Sequence, residues 1–348
     1  MQKSALIAMS GGVDSSVSAF LMQQDGFDCA GGVMKLFPID PAAKSNAVDD
    51  ASVVAEQLGL PFHVFDLSDN FKKCVISSFV KDYEEGRTPN PCVVCNKNLK
   101  FGMLLDKALE IEKNYIVTGH YVRTERDANG RYLLKKGSDS SKDQSYVLYT
   151  LSQKQLSHVM FPLGDKTKAQ VREIAGEIGL KSAQKGDSQD ICFIPDGDYV
   201  NYLTKNVGLK PKKGRFIDID GNILGENKGI ISYTVGQRKG LGLAMPHPTY
   251  VLELRPEDNS VVVGKDEMLY KKTLTVRDIN LIALDKIASP IRAEVKIRYA
   301  HQAQPATVSQ IDDDTLHIEF DEPQRAIAKG QAAVIYDSDL IIGGGTIC

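Results

Sequence analysis

A loop of small, hydroxyl-bearing and acidic residues follows the first apolar segment of the chain. The apolar segment spans residues 5–9, and the loop reads Ser10-Gly11-Gly12-Val13-Asp14-Ser15. Adjacent glycines let backbone N–H groups approach an anion closely, and the start of a following helix favours negative charge. Asp14 is repelled by phosphate, but its carboxylate is a suitable ligand for a Mg²⁺ that bridges phosphates. The loop therefore predicts a site for nucleotide phosphates, with a plain capped turn as the competing interpretation.

Three of the six cysteines stand in polar segments that could carry chemistry. Cys92 and Cys95 form a Cys-x-x-Cys pair, and Cys192 lies much later in the chain. Pro89 and Pro91 predict an extended loop rather than a helix around this pair. The pair alone fits half a zinc site, a redox pair or a set of cluster ligands. A closed zinc site needs a fourth ligand, which no second Cys-x-x-Cys or paired-histidine motif supplies.

The first part of the chain alternates between strand and helix patterns, as in an α/β protein with a mostly parallel sheet. Ligands bind such sheets at the carboxyl ends of the strands. Ser10 and the pair Gly119-His120 both follow predicted strands, so we expect them to line one crevice. The predicted strands are residues 5–9, 29–36, 62–65 and 115–118, and the predicted helices are residues 17–24, 51–58 and 99–109.

After about Tyr202 the pattern changes to short strands separated by turns. Asp220-Gly221 is a typical hairpin signal between two of them. We predict three domains: an N-terminal parallel-sheet phosphate-loop domain over residues 1–202, a small central mixed or β domain over residues 203–270, and a C-terminal β-barrel over residues 271–348.

The bulk composition is that of an ordinary globular protein, with 25% charged residues and a net charge of −3. No apolar run approaches the roughly 20 residues of a membrane helix, and the N-terminal segment lacks the features of a signal peptide. We therefore expect a cytoplasmic protein without a membrane partner. Two local basic clusters could still attract nucleic acid. They are Lys210-Pro211-Lys212-Lys213-Gly214-Arg215 and the set Arg292, Lys296, Arg298 and His301.

The loop Ser10 to Ser15 resembles the pyrophosphate loop of the N-type ATP pyrophosphatases, which transfer AMP to an oxygen. Further motifs resemble the bacterial tRNA-specific 2-thiouridylase family, and they cover essentially the whole chain in order. These motifs are Thr88-Pro89-Asn90-Pro91, Cys95-Asn96 with Lys100-Phe101, Thr118-Gly119-His120-Tyr121, Lys142-Asp143-Gln144-Ser145-Tyr146, Ser188-Gln189-Asp190-Ile191-Cys192-Phe193 and Tyr233-Thr234-Val235-Gly236-Gln237-Arg238-Lys239-Gly240-Leu241-Gly242.

The resemblance implies that ATP adenylates the C2 oxygen of uridine 34, the wobble base in the anticodon loop of tRNAs for lysine, glutamate and glutamine. It implies that Cys192 carries sulfur as a persulfide, and that Cys95 is the second catalytic thiol and closes a disulfide. Both thiols are then expected to have lowered pKa values, because thiolates are the reactive form. The sulfur donor would be a cysteine desulfurase or a sulfur-relay protein.

The resemblance also implies binding residues, position by position. The residues expected to bind ATP are Ala8, Met9, Ser10, Gly11, Gly12, Val13, Asp14, Ser15, Met34 and Gly119. Those expected to approach tRNA are Asn90, Pro91 and Cys92 at the target base, together with His120, Lys142, Asp143, Gln144, Arg298, Tyr299 and Gln331.

Cys92 departs from the family pattern, in which aspartate occupies this position. The departure leaves a second mechanism open, in which Cys92, Cys95 and Cys192 hold a [4Fe–4S] cluster that delivers sulfide. Two other functions also remain open: an amidotransferase-type synthetase that uses the same phosphate loop, and a non-catalytic RNA-binding or iron–sulfur protein.

Overall fold

Three β-sheets organise the chain in the computed structural model, which describes residues 3–37, 46–180, 191–194 and 196–348. The motif residues Ser188, Gln189 and Asp190 lie outside the described residues. The strands are β1 (Ser4–Ala8), β2 (Asp28–Lys35), β3 (Phe62–Asp66), β4 (Tyr115–Val117), β5 (Val122–Arg126), β6 (Tyr132–Lys136), β7 (Val159–Met160), β8 (Gly214–Ile217), β9 (Ile223–Asn227), β10 (Tyr250–Arg255), β11 (Ser260–Gly264), β12 (Tyr270–Leu281), β13 (Ile291–Lys296), β14 (Gln304–Asp312), β15 (Thr315–Arg325), β16 (Ala332–Asp337) and β17 (Leu340–Ile347).

The helices belong mainly to the first half of the described chain, and none of those described is long and apolar enough to cross a membrane. The α-helices are α1 (Val13–Gln24), α2 (Ala47–Gln57), α3 (Ser68–Phe71), α4 (Ser77–Glu84), α5 (Pro91–Cys95), α6 (Leu104–Glu110), α7 (Gln153–Leu156), α8 (Lys168–Glu177) and α9 (Tyr199–Asn201). Three π-helical segments, Lys72–Ile76, Asn96–Met103 and Tyr202–Asn206, continue α3, α5 and α9.

The first sheet is parallel, with strand order β3-β2-β1-β4-β7. Its central strand β1 is almost entirely buried, because helices cover both faces of a parallel sheet. The carboxyl ends of β1 and β4 lie side by side, since Ile7 pairs with Val117. The loops that follow these two strands, which carry Ser10 and Gly119, therefore meet at one edge of the sheet, as the sequence predicts.

The Cys-x-x-Cys pair lies on a helix, and the predicted extended loop is wrong. Helix α5 begins at Pro91, and the side-chain oxygen of Asn90 accepts a hydrogen bond from the Val93 N–H at 3.4 Å. A proline at the first helical position breaks no internal hydrogen bond, and its fixed φ suits the helix. The second proline thus starts the helix that carries Cys92 and Cys95.

The second sheet has the order β10-β11-β8-β9 and contains the predicted hairpin between β8 and β9. Its apolar core also includes residues from a helix outside the sheet. Phe79 and Tyr83 from α4 pack in one cluster with Phe216 and Val251 from this sheet. The strands of this second sheet therefore pack against α4, the helix that precedes the cysteine segment.

The third sheet forms a closed barrel of six strands, in the order β12-β15-β14-β13-β16-β17, because β17 pairs back onto β12. Sequence patterns missed β17, whose run Gly343-Gly344-Gly345 weakens the strand signal. They also missed the hairpin β5–β6, which adds to the barrel sheet where Leu340 pairs with Lys135. The predicted fold class is confirmed, whereas the predicted domain limits stay a prediction.

Candidate active site

A cavity of about 210 Å³ lies at the carboxyl edge of the parallel sheet. It gathers most of the residues expected to bind ATP, and also His120 and Gln144, which were expected to approach tRNA. Gly11, Gly12 and Val13 do not line it. The described lining consists of Ala8, Met9, Ser10, Asp14, Ser15, Gly32, Met34, Lys100, Leu104, Thr118, Gly119, His120 and Gln144.

The phosphate loop is shaped by hydrogen bonds among its own hydroxyls. Gly12 caps α1 in an extended conformation, and its carbonyl accepts from the hydroxyls of Ser15 at 3.1 Å and Ser16 at 2.8 Å. The Ser15 Oγ in turn accepts from the Ser10 N–H at 3.2 Å. The loop is therefore held as a tight turn at the positive end of α1, which favours an anion there.

Two glycines allow this turn to pack against neighbouring backbone. Gly11 has φ +71°, a left-handed conformation, and an added Cβ would collide with Asp50. A Cβ on Gly119 would lie 2.8 Å from the Cβ of Asp14 and 2.9 Å from the Ser15 nitrogen. Gly119 is thus required for the end of β4 to approach the start of α1, which gives it a structural role beside the predicted contact with ATP.

The Asp14 carboxylate is held by two side chains that the sequence did not single out. The Lys168 Nζ lies 2.7 Å from Oδ1 and 2.8 Å from Oδ2, and the Tyr121 hydroxyl donates to Oδ1 at 2.8 Å. Asp14 lines the cavity, so it could reach a phosphate-bound Mg²⁺. A metal ion there would have to displace Lys168, which already supplies positive charge to both oxygens.

His120 is a buried, neutral imidazole in the cavity wall. Burial lowers its pKa well below the ordinary value, and the nearby positive charge of Lys100 acts in the same direction. Its Nδ1 is 2.7 Å from the Thr118 hydroxyl, and its ring packs near Phe101 and Phe161. The imidazole is therefore a fixed hydrogen-bonding group without charge at neutral pH.

The three cysteines have raised pKa values, so the expected lowering for Cys95 and Cys192 is wrong. Desolvation raises the pKa of Cys92 and of Cys95, and Lys100 opposes it only in part. Desolvation by the surrounding protein also raises the pKa of Cys192 to about 12, although its surface stays open to solvent, and negative charge on Cys95 and Cys92 adds to the shift. All three are therefore protonated thiols at neutral pH in this structure.

Cys192 is anchored by the aromatic residue that follows it. The Phe193 ring contacts the rings of Phe71 at 5.5 Å, Phe79 at 5.4 Å and Tyr202 at 5.1 Å between centroids. Two of these pairs are edge-to-face, an arrangement that adds stability beyond the buried area. The cluster ties Cys192 to helices α3 and α4, close enough to Cys95 for their charges to interact.

The loop that carries Lys142, Asp143 and Gln144 connects the cavity to the barrel. Gln144 accepts a hydrogen bond from the Tyr121 N–H at 3.1 Å, and Asp143 accepts from the Ser145 hydroxyl at 2.7 Å. The backbone oxygen of Asp143 accepts from the barrel residue Tyr299 at 3.4 Å. Tyr299 is nevertheless exposed, and its pKa is raised by partial desolvation and by the Asp143 carboxylate, with a smaller contribution from Cys92.

Gln331 holds the segment that precedes the cysteine helix. Its Nε2 donates to the backbone oxygens of Thr88 at 3.0 Å and Pro89 at 3.2 Å, and the Thr88 N–H donates to Lys329 at 2.8 Å. The barrel thus fixes the turn that ends at Asn90, the N-cap of α5. Gln331 is engaged within the protein here, whereas a contact with tRNA stays a prediction.

Sequence reasoning missed several residues of this site. Lys100 was noted only as part of a motif, yet it lines the cavity, and Thr118 does so as well. Lys168 and Tyr121 bind Asp14 from distant parts of the chain. The signal for Thr118 was its place at a strand end, but nothing local to Lys168 indicates its partner. Arg298 lies exposed on the barrel, outside the cavity.

The described residues contain no preformed metal site. Across residues 3–37, 46–180, 191–194 and 196–348, no group of three or more His, Cys, Asp or Glu side chains converges in a way that could hold a metal ion. Cys92, Cys95 and Cys192 all belong to these ranges and so do not form the ligand set of an iron–sulfur cluster in this structure.

Comparison with known proteins covers the whole chain. The family models described as the tRNA methyl transferase HUP domain, the tRNA methyl transferase PRC-barrel domain and the aminomethyltransferase beta-barrel domain match residues 3–196, 201–265 and 271–347. The tRNA-specific 2-thiouridylase MnmA of Clostridioides difficile is 47% identical over 355 residues, which span 100% of this chain and 98% of the relative. The chain belongs to the tRNA-specific 2-thiouridylase family.

Two further members of this thiouridylase family match the chain at comparable sequence identity. The MnmA proteins of Clostridium perfringens and Acetivibrio thermocellus are 46% and 45% identical over 99% of this chain and 98% and 99% of their own lengths. Among solved structures, a 4-thiouridine synthetase in complex with RNA and bound ATP aligns with 56% of this chain and 46% of its own, at 19% identity and a TM-score of 0.39. That structural likeness is too low to carry an argument.

Lys168→Gln tests whether the lysine serves to neutralise Asp14. We expect ATP binding, measured by calorimetry, to weaken about tenfold, or about 1.4 kcal/mol, because an uncompensated carboxylate repels phosphate. Adding Asp14→Asn should recover part of the loss if neutralisation is the role. Lys166→Gln is the matched control, since Lys166 lies two residues before Lys168 and does not pair with Asp14. Full ATP affinity in Lys168→Gln would contradict this assignment.

Phe193→Ala tests the anchoring of Cys192. We expect disulfide formation between Cys95 and Cys192 under a thiol oxidant to slow about ten- to a hundredfold, because the thiols lose their mutual position. Peptide mass mapping of the oxidised protein at fixed times measures the rate. Phe193→Leu is the control, as it keeps apolar volume without the ring contacts. An unchanged rate in Phe193→Ala would show that other residues position Cys192.

Proposed function

We propose that this protein is an ATP-dependent tRNA 2-thiouridylase, which adenylates the C2 oxygen of uridine 34 and replaces that oxygen with sulfur. One observation carries this proposal: the cavity behind the phosphate loop shares a wall residue, Lys100, with the surroundings of Cys92, Cys95 and Cys192. Full-length relatives named tRNA-specific 2-thiouridylase support the same activity. A phosphate site and thiols within electrostatic reach of one lysine suit a reaction that activates an oxygen and then attacks with sulfur.

In the adenylation step the phosphate loop binds the nucleotide. The backbone around Ser10 and the start of α1 accommodate the phosphates. Asp14 would hold a Mg²⁺ that neutralises charge on them only where the ion displaces Lys168 from its carboxylate. The uridine oxygen attacks the α-phosphate, and the bond to pyrophosphate breaks. This step turns a poor leaving group into AMP, and the neutral His120 offers a hydrogen bond in the cavity without repelling a cation.

In the sulfur-transfer step the outer sulfur of a Cys192 persulfide attacks C2, and the C2–O bond breaks as its electron pair leaves with AMP. The Cys95 thiolate then attacks Sγ of Cys192. A Cys95–Cys192 disulfide forms, the bond from Cys192 to the transferred sulfur breaks, and that sulfur stays on the base. A dithiol reductant returns both cysteines to thiols with two electrons and two protons. The persulfide is renewed by a sulfur donor, a cysteine desulfurase or a sulfur-relay protein.

Recognition of tRNA falls to the surface between the cavity and the barrel. Tyr299 is exposed within electrostatic reach of Cys92 and Lys142, and an aromatic ring at this place suits a base that has left its stack. Arg298 precedes it in the chain, is exposed and suits a phosphate. Gln331 holds the turn before α5, and Asn90 and Pro91 begin this helix, which carries Cys92 and Cys95.

Cys92 fits the role of an acid better than that of a base. Desolvation by the surrounding protein raises its pKa, although its side chain is exposed to solvent, so the thiol holds its proton at neutral pH and gives it up only to a stronger base. The aspartate of the family pattern would be ionised under the same conditions unless it were equally desolvated. We therefore assign Cys92 to approaching the target base and to proton donation, and the persulfide route needs no metal ligand from it.

The decisive experiment is mass analysis of tRNA nucleosides after incubation with ATP, Mg²⁺, a dithiol reductant and a persulfide donor, a cysteine desulfurase supplied with cysteine. We expect 2-thiouridine and one pyrophosphate per modified base, and pyrophosphate release that depends on tRNA. Cys95→Ser and Cys192→Ser should abolish 2-thiouridine but retain pyrophosphate release, because adenylation precedes sulfur transfer. Cys348→Ser is the matched thiol control. Pyrophosphate release that ignores tRNA but responds to a small acid would favour an amidotransferase-type synthetase instead.

Anaerobic purification separates the persulfide route from the cluster route. We expect a colourless protein, free of iron and fully active with a persulfide donor, because the described cysteines do not converge as metal ligands. Iron and acid-labile sulfide are assayed alongside activity. Activity that rises in proportion to bound iron, and falls in Cys92→Ser together with the iron content, would instead establish the [4Fe–4S] mechanism.

A further inference from the structure

Cys95 and Lys100 are joined by a stretch of π-helix. Helix α5 ends at Cys95, the segment Asn96–Met103 is π-helical, and α6 continues from Leu104. A π-turn is wider than an α-turn because its hydrogen bonds run between residues five apart, and such turns recur at functional sites. The same five-residue spacing separates Cys95 from Lys100, so one widened turn links the thiol to the lysine.

Lys100 is near both parts of the site, the nucleotide cavity and the three cysteines. It lines the nucleotide cavity together with Ser10, Gly119 and His120. Its positive charge also acts on the cysteines, where it lowers a pKa that desolvation raises, and this holds for Cys92, Cys95 and Cys192 alike. A single ammonium group is thus within electrostatic reach of the phosphate cavity and of all three thiols.

This ammonium group has no carboxylate partner in the part of the chain that the structure describes. Lys168 is paired with Asp14, but no ion pair is formed by Lys100 among the described residues. Lys100 is also the one lysine or arginine among the described residues that line the cavity. A cation in a cavity wall without a carboxylate partner is available to an anion that enters the cavity.

We propose that Lys100 is a catalytic residue shared by both half-reactions: it binds nucleotide phosphate in the cavity and stabilises thiolate on the cysteine side. This rests on the proposed function. During adenylation it offsets charge on the phosphate that accepts the uridine oxygen. During sulfur transfer it stabilises the thiolate that attacks, and the AMP that departs with the electrons of the C2–O bond. The alternative is that Lys100 is an ordinary solvated side chain on the helix surface, with no role in either step.

The test compares Lys100→Gln, Lys100→Arg and the control Lys97→Gln, which removes an exposed charge from the same π-helical segment. Alkylation of Cys95 by iodoacetamide is followed against pH in protein without nucleotide. We expect the Lys100→Gln profile to move to higher pH, with alkylation at about pH 8 some three- to tenfold slower. Lys100→Arg should restore the wild-type profile, and Lys97→Gln should match it.

Binding of ATP to the same variants is measured by calorimetry. We expect about tenfold weaker binding for Lys100→Gln and near wild-type binding for Lys100→Arg. A change in only one of the two measurements would overturn the shared role, and no change in either would leave Lys100 as a surface residue. Both measurements omit tRNA, so their outcome is independent of the nucleoside assay. A wild-type protein that makes no 2-thiouridine would overturn the proposed function, whatever the alkylation profile shows.

Discussion

The site depends on one constraint: the cavity behind the phosphate loop and the cysteine thiols must both lie near Lys100. The continuous helical stretch from Pro91 to Glu110 meets it, because its first turn carries the cysteines and its π-helical middle carries Lys100. The start of this stretch is fixed by Asn90 as N-cap and by Pro91, whose fixed φ suits the first turn. Its middle is fixed by the buried Asn96, which donates to the Val147 carbonyl at 3.1 Å. Any displacement of this stretch would therefore move the thiols and the phosphate contact together.

The barrel contributes to the site by holding that stretch from outside the parallel sheet. Gln331 donates a hydrogen bond to the turn before α5. The Tyr336 hydroxyl lies 3.1 Å from the Ser145 hydroxyl, in the loop beside the cavity. One apolar cluster contains Leu6 of the parallel sheet and Val334 of the barrel, so the two sheets share a core. The hairpin β5–β6 leaves the cavity directly after Tyr121 and joins the barrel sheet. The shared core and the joined strands therefore hold the barrel against the parallel sheet whose edge carries the cavity.

How much the sequence could predict follows from how local each feature is. The phosphate loop and the strand ends are local, and the crevice they predicted, lined by Ser10, Gly119 and His120, is present in the structure. The helix at Cys92 was missed because the prolines indicate a loop when considered alone, and only the N-cap Asn90 reveals that Pro91 occupies the first helical position. The partnership of Lys168 with Asp14 spans 154 residues, and no local pattern encodes it. The thiol pKa values were predicted in the wrong direction because burial depends on tertiary packing.

Raised pKa values in a thiol-dependent enzyme have a consistent physical interpretation. Thiols that stay protonated are protected from oxidation and from premature attack, since the thiolate is the reactive form. In the proposed reaction, bound ATP would bring negative charge to the cavity, and that charge would compete with the thiolates for the Lys100 ammonium. Departure of pyrophosphate would remove most of this charge, and the same ammonium would become more available to a thiolate. Electrostatic competition for one lysine would thus favour sulfur attack after adenylation rather than before it, without any movement of a domain.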